Sequence, residues 1–307
     1  MSYAVLFSGQ ASQHPDMLPW LESEPAAAET VRAMSELLGL DWRHLLHDPK
    51  CRSDNAFAQV LITGTSLAAW AAIKDRLPAR PAVVAGYSVG ELPAFACAGV
   101  FDTDQALMLA VQRAALMDQA VAGLQTGLLS VSGISEATVV AACADLGIEC
   151  AIRVTVNHAI FAGTDDALAQ AAFVLVALGA VCKRLEVRVA SHSSWMAPSA
   201  RIFAEILHGV PFAAPYCPVA VNALGVLSRK PSELRQALSQ QLASTVQWSS
   251  CMEAMAERKV SCVIEIGAGS ALGRMWNDRY PEIPARSLDD FQQLQGALDW
   301  VVKHMDP

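Results

Sequence analysis

Apolar positions along the chain follow two rhythms. Short continuous runs, Tyr3 to Phe7 and Ala82 to Gly86, have the form of strands buried on both faces. Longer stretches repeat their apolar residues every three or four positions, which predicts helices near 26–38, 57–77, 91–98 and 104–122. Pro78 and Pro81 close the second helix, because proline cannot continue a helix and disfavours it at the residue before. A small polar loop, Ser8 to Gln13, follows the first run. Near the far end, the run 260–266 leads into Gly267-Ala-Gly269.

From about Leu124 the pattern changes. Strands are expected at 127–132, 150–156, 158–162 and 182–189, with helices at 136–146 and 166–178. That order, βαββαβ, is ferredoxin-like. It predicts an α/β protein in which a small ferredoxin-like domain, 124–190, is inserted into a large domain made of 1–123 and 191–307.

Composition narrows the function classes. Hydrophobic residues make up 53% and charged residues 17%, enough for a large core and against disorder. The net charge of −8 argues against a nucleic-acid partner, which would need a basic stripe to displace counterions from phosphates, so none is expected. No uninterrupted apolar run reaches the ~18 residues of a membrane span, and the first residues lack a basic leader. The eight cysteines are scattered without a C-x-x-C pair, so no metal site is expected and the cytoplasm is the expected compartment.

Gly86-Tyr87-Ser88-Val89-Gly90 is a G-x-S-x-G turn between an expected strand and an expected helix. In a nucleophile elbow of this kind, glycines permit the sharp turn, and the serine hydroxyl is raised above an α/β-hydrolase-like sheet. The N–H of Val89 and the helix N-terminus then face the place where an oxyanion forms. Serine needs a base. Of seven histidines, His192 is the best placed, between a strand end and a helix, although a lone histidine is more often a hydrogen-bonded structural residue.

These residues resemble the malonyl-CoA:acyl carrier protein transacylases over nearly the whole chain. Gly9-Gln10-Ala11-Ser12-Gln13 is similar to the family's G-Q-G-S-Q loop, and Gln59 to its early glutamine. The stretch 86–91 is similar to G-H-S-x-G-E, Arg113 and Met117 to R-x-x-x-M, and Asn157 to an asparagine near the small-domain hairpin. Ser191-His192 is similar to the S-H base, and Glu265 to Gly269 to E-x-G-P-G. The resemblance implies that Ser88 is the nucleophile and His192 its base, oriented by a backbone carbonyl. It further implies an oxyanion hole from the Gln10 and Val89 N–H groups, with Gln59 and Asn157 in support. Arg113 would clamp the malonyl carboxylate, which a planar guanidinium fits in bidentate fashion. As a residue alone it can also be read as an arginine with a packed stem and a solvated head. No bound cofactor is implied: malonyl-CoA is a substrate, and a phosphopantetheine-type arm on the carrier accepts the acyl group.

Tyr87, Ala11 and Ala268 depart from the family pattern. The Tyr87-Ser88-Val89-Gly90-Glu91 run is more similar to the malonyltransferase (epsilon) subunit of bacterial malonate decarboxylases, whose carrier subunit would then be the acceptor. A fatty-acid or polyketide acyl carrier protein is the alternative, and a hydrolase or a non-catalytic scaffold the more distant rivals. Asp145, Asp165 and Glu186 lie between Ser88 and His192, but none is a convincing third member of a triad. On the strand expected at 182–189, alternation sets Leu185, Val187 and Val189 against the small domain's helices. It leaves Arg184 and Arg188 outward, and with Lys183 they make a candidate docking surface for an acidic carrier.

Overall fold

A computed structural model describes residues 2–39 and 41–305; the outermost expected bounds, Met1 and Pro307, lie outside them. Ten strands are present among the described residues: β1 (Tyr3–Phe7), β2 (Val83–Gly86), β3 (Thr126–Ser132), β4 (Glu149–Thr155) and β5 (His158–Thr164), then β6 (Val181–Arg184), β7 (Val219–Val221), β8 (Val226–Ser228), β9 (Cys262–Ile266) and β10 (Ala285–Ser287). They form two sheets, ordered β10-β9-β1-β2-β7-β8 and β4-β5-β3-β6. The architecture is the mixed α/β type expected.

In the larger sheet every neighbouring pair is parallel except β7 with β8. Its central strands are buried throughout, which explains their unbroken apolar runs. The helix Asn55–Ile73 is long and apolar enough to cross a membrane by composition, yet 83% of its most apolar window is buried inside the protein. It is a core helix.

The smaller sheet is antiparallel throughout, in the order that a ferredoxin-like βαββαβ segment would adopt. One of its faces, with Leu129, Val131 and Phe161, forms a separate core with Leu168 and Leu175 of the helix Asp165–Ala177. The other face, with Leu128, Ile152 and Ile160, joins the core of the main body. Its β4 edge is covered by main-chain bonds between Arg153 and Val246 and between Val246 and Ala151, at 2.9 and 2.8 Å.

The expected strand 182–189 is shorter than its alternation suggests. It ends at Arg184, where the chain peels away from β3: a Cβ at Gly127 would stand 2.5 Å from the Val187 carbonyl, so the backbones cross there at glycine. Burial still alternates over 185–189, but Leu185, Val187 and Val189 pack into the main core, not against the small sheet's helices. Arg184 and Arg188 are both exposed, as alternation implied; Arg184 is paired with Asp165, and the intervening Glu186 with Arg52 at 2.9 Å.

Candidate active site

Loops that leave the carboxyl ends of parallel strands converge on Ser88. The first loop follows β1, the elbow follows β2, and Asn222 follows β7. Open α/β sheets place their ligand crevices at such ends. The elbow is as tight as its glycines require: a Cβ on Gly86 would lie 1.8 Å from the Gly90 carbonyl, and one on Gly90 would lie 2.4 Å from that of Phe7. Ser88 itself has φ of +56°, a left-handed conformation that costs an L-residue about 1–2 kcal/mol.

The hydroxyl of Ser88 stands 2.7 Å from His192 Nε2, and His192 Nδ1 stands 2.7 Å from the backbone carbonyl of Gln241. A carbonyl only accepts, so Nδ1 carries the proton and Nε2 is left to accept from the serine. No carboxylate is needed to fix the tautomer. Asp165 and Glu186 are engaged with Arg184 and Arg52, and Asp145 is exposed. Burial drives the His192 pKa down to about 3, with the nearby Arg113 charge lowering it further and the Gln241 bond opposing both. The imidazole is neutral at physiological pH.

Arg113, 1% exposed, projects from the helix Thr103–Ala120. Its Nη1 donates to Gln59 Oε1 at 2.7 Å and its Nη2 to Gln241 Oε1 at 2.8 Å, while Nε has no partner. Burial lowers its pKa to about 10, and Glu91 offsets part of that shift, so it remains a cation at neutral pH. Both bonding partners are neutral amides. Glu91, the buried carboxylate that acts on it, is held one amide away, bonded to Gln241 Nε2 at 2.7 Å. Burial raises Glu91 to about 8, against the opposing effects of the Asn222 bond, Arg113 and Gln241.

Gln59 is itself anchored through Asn55 Oδ1 at 2.8 Å, and the Gln10 side chain donates to the same oxygen at 3.1 Å. Gln10, Gln59, Arg113, Ser88 and His192 therefore belong to one neighbourhood. The close approach of Gly9 to Tyr87, whose carbonyl would lie 2.6 Å from an added Cβ, brings the first loop beside the elbow and Val89. A cleft of about 240 Å³ opens against Gln10 and Tyr87, with Ser130, His158 and Lys183 of the small sheet on its other wall.

Asn157 is not brought to Ser88. It is exposed at the turn between β4 and β5, and its carbonyl accepts from Gly133 N–H at 2.9 Å. Tyr87 packs edge-on against Trp248 with ring centroids 5.0 Å apart. Ala11 adopts φ of +77°, the conformation for which the family's glycine is suited.

Sequence reasoning missed Gln241, Asn222 and Asn55. Gln241 touches Arg113, Glu91, the Ser88 carbonyl and His192 through one side chain and one carbonyl. Only Asn222 carried a signal, as a polar residue at the carboxyl end of an apolar strand.

Residues 5–293 match the family described as the acyl transferase domain. The malonyl CoA-acyl carrier protein transacylase of Haemophilus influenzae is 31% identical over 98% of this chain and 99% of its own length. A crystal structure of the malonyl-CoA:acyl carrier protein transacylase of Xanthomonas oryzae superposes with a TM-score of 0.89, at 28% identity over 98% of this chain and 99% of that one. A malonyl-transacylase solved in complex with its type II polyketide acyl-carrier protein gives 0.89, at 28% identity over 97% and 99%.

Proposed function

Since the chain belongs to the malonyl-CoA:acyl carrier protein transacylase family of acyltransferases, we propose that it moves a malonyl group from malonyl-CoA to the thiol of an acyl carrier protein through a malonyl ester on Ser88. One observation carries this reading: a serine paired with a neutral imidazole lies in the same hydrogen-bonded network as a buried guanidinium bound only to amides.

In the first half-reaction Ser88 Oγ attacks the thioester carbon while its proton passes to His192 Nε2. The carbonyl oxygen becomes an oxyanion between the N–H groups of Gln10 and Val89. Collapse breaks the C–S bond, and the imidazolium protonates the departing CoA sulfur. In the second half-reaction the carrier thiol gives its proton to Nε2 and its sulfur attacks the ester. Ser88 then leaves and recovers the proton. Arg113 holds the free carboxylate of the malonyl group, and Gln59 holds Arg113. Asn157, at the hairpin turn, is assigned to the outer approach. The segment 124–190 acts as a small domain that walls the cleft.

The relatives favour an acyl carrier protein of the fatty-acid or polyketide type as acceptor. Tyr87, in its Tyr87-Ser88-Val89 setting, favours a second reading, the carrier subunit of a malonate decarboxylase. Intact-mass measurement after incubation with malonyl-CoA tests the chemistry: a malonyl adduct that maps to Ser88, is absent from Ser88→Ala and is discharged by a holo-carrier supports transfer. Release of CoA at the same rate without carrier would instead make the protein a hydrolase. Presenting both carrier types in competition separates the two acceptors.

A further inference from the structure

Something outside the elbow must hold Ser88 in its left-handed conformation, because a side chain there crowds the following carbonyl. Asn222, fully buried at the end of β7, grips the turn from the amino side of Ser88. Its Oδ1 accepts the Ser88 N–H at 2.9 Å, and its Nδ2 donates to the Gly86 carbonyl at 2.7 Å. On the other side, Gln241 Nε2 donates to the Ser88 carbonyl at 2.8 Å. Glu91 joins the two amide residues, accepting from the Asn222 N–H at 2.5 Å and from Gln241 Nε2 at 2.7 Å. The circuit is closed. Its Gln241 arm also carries the carbonyl that orients His192.

We propose that Asn222 is the positioning residue of the nucleophile: it fixes the peptide planes ahead of Ser88 so that Oγ meets His192 Nε2 at 2.7 Å and the Val89 N–H, not that of Ser88, faces the oxyanion. The proposal rests on the reading of Ser88 as nucleophile. A residue that merely braced the sheet would bond only to neighbouring strands; this side chain meets Gly86 at the end of the adjacent β2, but its other end bonds to the N–H of Ser88 itself, beyond the strand and inside the turn. A misplacement of about 1 Å at a reacting atom costs on the order of 10²-fold in rate.

The test compares wild type with Asn222→Ala and the isosteric Asn222→Asp. Three quantities are read: the rate of Ser88 labelling by a fluorophosphonate, the single-turnover rate of malonyl-enzyme formation per titrated site, and the KM for malonyl-CoA. In Asn222→Ala both rates should fall by about 10²-fold, with KM changed no more than about threefold. Asn222→Asp keeps the acceptor for Ser88 but, when ionised, turns a carboxylate towards the Gly86 carbonyl, so it should be slow on the alkaline side of its own pKa, which burial raises. It should recover as acid restores one donor and one acceptor. If Asn222→Ala fails to fold, that recovery decides the matter. Per-site rates within about threefold of wild type, alongside a lowered melting temperature, would reduce Asn222 to a structural brace and overturn the proposal. If wild-type Ser88 takes the fluorophosphonate but never malonyl, the transfer reading fails, while the labelling rates still decide the role of Asn222.

Discussion

Replacing Arg113 by alanine separates substrate recognition from the rest of the machinery. Of the five N–H groups of a guanidinium, the protein occupies two, through Gln59 and Gln241. The others are left for a ligand, and Nε lies buried without a partner. Truncating one member of a buried, hydrogen-bonded charge pair costs roughly 2–5 kcal/mol. At about 1.4 kcal/mol per decade, that is a loss of some 30- to 4000-fold in kcat/KM for malonyl transfer. The mutation also strips the donors from two buried amide oxygens, at about 1–3 kcal/mol for each one left unsatisfied. That second cost falls on the stability of the fold and is the same whichever acyl donor is offered. The ratio of malonyl to acetyl kcat/KM therefore isolates the carboxylate contribution, and it should collapse while acetyl transfer changes only a few-fold. Arg113→Lys should restore part of it, because an ammonium supplies the charge without the fork. The assay is malonyl- and acetyl-enzyme formation from the two CoA esters, with thermal melts to check folding. Equal losses for both esters in a folded variant would show that Arg113 supports structure only, and the argument from its amide-only partners would fail.

Two further outcomes follow from local geometry. An ordinary histidine with a pKa near 6.5 would be only about 3% neutral at pH 5 and would cost about 30-fold in rate; because burial holds His192 down to about 3, kcat/KM for malonyl-enzyme formation should stay level from pH 7 to pH 5. An acid limb near 6.5 in that profile would contradict the burial argument. Ala11→Gly relieves the left-handed strain at φ of +77° and should raise the melting temperature by about 1–2 °C without changing kcat, and a lowered melting temperature would show that the loop gains rigidity from the methyl group.

The parts of this molecule that were legible in its sequence are those specified locally. β1 and β2 announce themselves because a parallel strand buried on both faces must be apolar at every position. The elbow is readable because Gly86 and Gly90 are required by contacts within the turn and with β1. His192 was the best placed of seven histidines, between a strand end and a helix, but resemblance was needed to fix the choice, since a lone histidine is more often a hydrogen-bonded structural residue. Gln241 was illegible for a related reason. It sits in a polar helix end beside Gln240, and its partners lie far away in sequence, 153 residues in the case of Ser88. The end of β6 was misjudged because alternation of burial continues past Arg184 after the pairing has stopped. Period-two patterning reports which side chains are covered, not what covers them.

The choice of amides around Arg113 bears on how base strength and substrate identity are coupled. A carboxylate in direct contact would satisfy the guanidinium, and an incoming malonyl group would have to displace it. Gln59 and Gln241 orient the cation without cancelling its charge, while Glu91, one amide further away and itself raised to about 8, offsets the cost of burying it only when ionised. The uncancelled charge weakens the His192 base in the empty site. On the proposed reading, a malonyl carboxylate seated on Arg113 removes that pressure, so the imidazole gains basicity when the correct acyl group is present. An acetyl group, which brings no charge, leaves the base weak. Recognition and activation then have one electrostatic origin, because the interaction that binds the donor also strengthens the group that takes the Ser88 proton.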